Sequence, residues 1–147
     1  MSKIRILILV TRIALGGLFV YAGAQKFVPK PPRPAAEQGV ELPDHVVKIK
    51  SMIGGLKGTG YFWPQLGVAE IVCGLLLISQ LYALLGAVML VPLSLNIFLF
   101  HLYLEPHEVG ELIQTGFYLL VNLALLAYDY PKLKTAFLTG DAGSINN

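Results

Sequence analysis

Arg12, Glu70 and His101 stand inside apolar runs long enough to cross a bilayer. A charge at membrane depth is costly, so such residues face a protein interior, find partners and mark functional sites. Their types suit proton handling and ion pairing. A carboxylate or an imidazole can take up and release a proton, whereas a guanidinium stays charged and orients its partner. Lys26 closes the first run, and Asn96, Tyr118 and Asn122 add hydrogen-bonding groups deeper in the chain.

The spacing says which way these groups point. Arg12, Gly16, Phe19, Gly23 and Lys26 form one heptad-like seam, and Trp63, Gly67, Glu70, Gly74 and Leu77 form another. Small residues let membrane helices approach closely, so Arg12 and Glu70 are expected on faces that meet protein. At ~1.5 Å per residue, Arg12 lies roughly 12 Å in from the terminal side and Glu70 roughly 14 Å in from the loop side. In a hydrocarbon core ~30 Å thick these depths nearly coincide. An Arg12–Glu70 ion pair is therefore expected.

Asn96 and His101 follow Pro92, and Gln114, Tyr118 and Asn122 make a polar stripe at i, i+4 and i+8. Together with Gln25 and Lys26 these residues can line a pocket open toward the loop between the first two spans. The candidate buried polar site is thus Arg12, Lys26, Glu70, Asn96, His101, Tyr118 and Asn122. Structural roles compete for each. Asn96 can glue two helices, His101 can sit wet at the boundary, Lys26 can snorkel, and Glu70 can fix the fold through an ion pair. His101 and Glu105, at i, i+4, can share a proton. No metal site is expected, because His101 and His107 have no cysteine or second histidine at ligand spacing. Cys73, the one cysteine, reads as a small core residue. No phosphate-binding loop or dinucleotide fingerprint is present.

The elements that must position these groups are membrane helices. The chain has 147 residues, 55% hydrophobic and 14% charged, with mean hydropathy +0.66. Soluble domains carry roughly 25% charged residues. The net charge of +2 argues against a nucleic-acid surface. Apolar blocks place spans at about 4–24, 61–79, 81–104 and 112–128, each near the ~20 residues that cross the core. The expected fold is an all-α integral membrane four-helix bundle, in one domain over residues 1–147, with the lipid bilayer as its solvent. Residues 79–82 make the second and third spans a hairpin, and an acidic turn around Pro106 joins the third and fourth. The N-terminal run is too long for a signal-peptide core and reads as an uncleaved first span.

The loop over 25–60 opens with Pro29-Lys30-Pro31-Pro32-Arg33-Pro34, an extended stretch. Val46, Ile49, Met52, Ile53 and Leu56 then recur at helical spacing with Lys48, Lys50 and Lys57 between them. This predicts an amphipathic helix over about 44–57, lying on the membrane surface or packed over the bundle end. Trp63 is placed as an interfacial anchor. An even number of spans puts both termini on one side, and the weight of the first span favours the cytoplasm.

Arg12-Ile13-Ala14-Leu15-Gly16-Gly17-Leu18-Phe19 followed by Gly23-Ala24-Gln25-Lys26-Phe27 resembles the first-span signature of DoxX-type membrane proteins. Gly58-Thr59-Gly60-Tyr61-Phe62-Trp63-Pro64 with Gly67, Glu70 and Gly74 resembles their second span, and Asn96-Ile97-Phe98-Leu99-Phe100-His101-Leu102 their third. The resemblance runs from about Val10 to Tyr128. It implies a four-helix membrane protein of the bacterial inner membrane. Relatives include the small membrane subunit of a thiosulfate:quinone oxidoreductase and proteins linked to membrane oxidoreductase and oxidative-stress assemblies. Animal membrane chaperones of receptor assembly are more distant relatives. Arg12, Lys26, Glu70, Asn96 and His101 match, and none of them carries an established catalytic role. Two functions follow as expectations. One is a redox-linked subunit that holds a quinone and draws electrons from a partner subunit. The other is a non-enzymatic assembly factor, scaffold or small-molecule carrier, with oligomers possible in either case.

Overall fold

A computed structural model describes residues 1–31 and 39–140, and every described regular element is helical. Part of the proline-rich stretch, Pro32 to Pro34, lies outside the described residues. The helices are α1 (Lys3–Gln25), α2 (Asp44–Gly58), α3 (Phe62–Ile78), α4 (Ala83–Leu104), α5 (Val109–Tyr128) and the short α6 (Tyr130–Leu133). A π-helical turn, Lys134–Leu138, follows α6.

Local chemistry sets the boundaries. The Ser2 hydroxyl accepts from the Arg5 amide and starts α1, as N-caps do. Gly60 turns the chain between α2 and α3 with φ +79°, a conformation that suits glycine. Pro64 then sits in the first turn of α3, where its missing N–H costs nothing. In the turn from α3 to α4, Gln80 takes φ +59°. Its amide donates to the carbonyls of Leu77 and Ile78, at 3.1 and 3.3 Å, so the turn satisfies carbonyls that the helix end leaves open.

α1, α4 and α5 are each long and apolar enough to span a membrane. α3 has 17 residues, or roughly 25 Å. It reaches the span criterion only together with α2, across a 90° bend. Ile6, Leu7 and Val10 of α1, Val68, Val72 and Leu75 of α3, Leu85 and Met89 of α4, and Ile113, Phe117 and Leu120 of α5 all point outward. An outward apolar girdle on helices of this length is the surface that lipid covers. Leu15, Phe19, Cys73, Leu77, Ala87, Leu90 and Leu125 form the core between them. α2 lies across the loop-side end, touching α3 and α4. Its residues Val46, Ile49, Ile53 and Leu56 are half-buried, so its apolar face covers the bundle end.

The tightest interface joins α1 to α3. A Cβ on Gly16 would sit 2.6 Å from the Gly74 carbonyl oxygen, and one on Gly23 would sit 2.5 Å from that of Gly67. The two antiparallel backbones therefore touch at two points seven residues apart on each helix, and only glycine permits it. These points also set the register. Four residues before Gly16 is Arg12, and four after Gly74 is Ile78, so Arg12 stands level with the end of α3.

Candidate functional site

That register corrects the expected Arg12–Glu70 pair. Eight residues, or roughly 12 Å, separate Glu70 from the level of Arg12. Depth counted from each span's own end misleads here, because α1 runs nine residues beyond the end of α3. Each charge finds another partner, and two ion pairs, each with a buried carboxylate and a half-buried base, form at opposite ends of the bundle.

At the loop-side end, Lys26 Nζ donates to Glu70 Oε2 at 2.6 Å. Glu70 is 1% exposed and Lys26 14%. Lys26 is the C-cap residue of α1, and its Cβ lies beside Gly67, one turn from Glu70. The glycine contact thus brings the lysine within reach of the carboxylate. The Lys26 ammonium also lies 5.4 Å from the Trp63 ring centroid, and the Lys57 ammonium 5.0 Å from it. These are cation–π distances. Trp63, expected as a boundary anchor, is also the platform for two cations. Gln25, Lys26, Lys30, Lys57 and Trp63, with the apolar Phe27 and Val28, line an open cavity of about 260 Å³.

At the terminal end, Arg12 donates to Asp129 and, at 3.2 Å, to Gln80 Oε1. Lys132 lies 3.3 Å from the second oxygen of Asp129, which is 5% exposed. One guanidinium thus ties α1 to the α3–α4 turn and to the end of α5. Sequence reasoning missed Gln80 and Asp129. A signal for Asp129 exists: Thr115 and Asn122 on α5 and Asp129 at its C-cap recur every seven residues, and all three are buried.

The remaining candidates do not join a single pocket. Asn96 is exposed, and its amide donates to the Pro92 carbonyl of its own helix at 2.8 Å. It lies two residues, about 200° around a helix, from the buried Ser94. Asn122 is fully buried and donates to the Ala87 carbonyl at 3.2 Å, joining α5 to α4; its Oδ1 has no partner among the described residues. Tyr118 is half-buried and accepts from the exposed Gln114, so the predicted stripe turns outward toward the loop side. His101 Nδ1 lies 2.9 Å from a Glu105 carboxylate oxygen, off the hydrogen-bond line. Nearby, His45 of α2 packs edge-on against His107, centroids 5.8 Å apart. Among the described residues no group of three or more His, Cys, Asp or Glu side chains forms a metal cage.

In chemical terms, the loop-side pair couples a buried carboxylate to water through a titratable ammonium. The terminal cluster holds a cation that does not deprotonate. The DoxX family model matches residues 7–102. That interval contains Arg12, Lys26, Glu70, Asn96 and His101, and it ends before α5. No curated protein and no solved structure matches the chain.

Proposed function

The chain belongs to the DoxX family, and on that premise we propose that it is the membrane subunit of a quinone-linked oxidoreductase system. The observation that carries this reading is the Lys26–Glu70 pair. A carboxylate 1% exposed is bonded at 2.6 Å to a lysine that lines a cavity open at the loop side. Quinone reduction consumes protons, and a buried acid joined to water through one titratable side chain is a means to deliver them.

The residues present fit a quinone in part. Lys26 Nζ is a donor for a carbonyl oxygen, and Glu70 is a proton carrier behind it. The cavity, at about 260 Å³, is below the ~300–1,000 Å³ of sites for drug-sized molecules. The reading therefore assigns the ion pair to the quinone head, with the tail in lipid. A bound quinone would supply the electron-accepting group. The chain's own part is to hold the head, orient it and pass protons. Electrons come from a partner subunit. The proposed setting is the bacterial inner membrane with both termini cytoplasmic.

Trp63 is the one tryptophan, and it stands beside the pair, so its fluorescence reports the test. Titration with a short-chain quinone in neutral nanodiscs should quench Trp63 saturably, and Glu70→Gln should weaken that binding at least fivefold. Unsaturable quenching, equal in both proteins, would sink the reading.

One observation favours a second reading, a non-enzymatic assembly factor, scaffold or carrier. Both ion pairs join elements of the bundle and give each buried carboxylate a cation. A stable co-purifying membrane partner, retained by Glu70→Gln, together with no saturable quinone binding, would select it.

A further inference from the structure

We propose that the loop-side cavity binds the phosphate group of an anionic membrane lipid. Lys26, Lys30 and Lys57 all line it. Among the described residues, only Glu70 lies within ion-pair distance of any of the three, and it is taken by Lys26. Among the described residues, three cations thus face one carboxylate in a small concavity. Lys26 and Lys57 both sit over the same indole, so two ammonium groups converge on one ring. A phosphate in the cavity they line offers several acceptor oxygens for their protons.

Position supplies the second argument. The cavity lies where α1 ends and α3 begins, at the loop-side end of the bundle. Phe27 and Val28 line it and are more than half exposed, giving acyl chains an apolar lip beside the lysines. Basic clusters flanking membrane helices attract anionic headgroups. A volume of about 260 Å³ suits a headgroup rather than a whole amphiphile. This inference does not rest on quinone chemistry; a lipid phosphate and a quinone head would compete for Lys26.

The test uses the full chain in nanodiscs that mix phosphatidylcholine with phosphatidylglycerol, followed by native mass spectrometry. Three proteins are compared: wild type, the Lys30→Gln/Lys57→Gln variant, and a Lys48→Gln/Lys50→Gln control. The control removes two exposed lysines of α2 that do not line the cavity. Wild type and control should retain phosphatidylglycerol. The cavity variant should lose it by roughly fivefold per lysine, the effect expected for one cation near an anionic surface. Equal retention by all three proteins, or equal loss in both variants, would overturn the site in favour of a diffuse charged surface. A further arm adds inorganic phosphate at millimolar concentration. Persistence of the lipid supports the lipid as occupant, and displacement at that level would show a free-phosphate site instead.

Discussion

The two ends of this bundle solve one problem in opposite ways. At the terminal end a guanidinium meets a buried carboxylate and a turn amide, and three segments of chain are held by one side chain. At the loop end a single ammonium meets a single carboxylate between two adjacent helices, with an open cavity beside it. Arginine brings a rigid fork and a permanent charge, and lysine brings a flexible stem and a charge that can be lost. The terminal cluster is built to stay. In the loop-side pair the carboxylate is buried while its lysine lines the open cavity.

Substitutions break that contrast in order of size. Asp129→Ala leaves the half-buried Arg12 with only Gln80, and should cost about 3–4 kcal/mol in detergent-unfolding stability. Lys26→Met strands Glu70 at 1% exposure and should cost about 3 kcal/mol at neutral pH. Part of that loss should return on acidification, as Glu70 takes up a proton; Asp129→Ala should show no such recovery. Gly23→Ala should cost about 1–3 kcal/mol, because its new Cβ meets backbone. Gly17→Ala, with nothing within 4 Å, should be neutral or slightly stabilising; equal effects at the two glycines would refute the close α1–α3 contact. Among the ion-pair substitutions the smallest loss should come from Glu70→Gln, about 1 kcal/mol, since Lys26 then turns to the cavity. If Glu70→Gln destabilised the fold as much as Asp129→Ala, the two ends would not differ as described.

The helical membrane fold was legible because apolar blocks of this length have few alternatives in lipid. The glycine seams were legible too: Gly16 and Gly23, and Gly67 and Gly74, are the residues at which α1 and α3 touch. What escaped was pairing. Depth alone pairs Arg12 with Glu70, but helix register, and not distance from the helix end, decides which charges meet. Asp129 escaped because it lies just past α5, where an acid ordinarily reads as solvated. Asn96 was grouped with the interior by its polarity, although two residues of helix separate it from the buried face of α4.

The Arg12–Asp129 link also has a consequence in time. Its partners lie 117 positions apart, and a chain is made from its N-terminus. Arg12 enters the membrane while its carboxylate does not yet exist. Gln80 arrives first and offers a neutral acceptor. Only when α5 is complete does the guanidinium gain its counter-charge, so the first helix remains provisionally seated until the last one locks it.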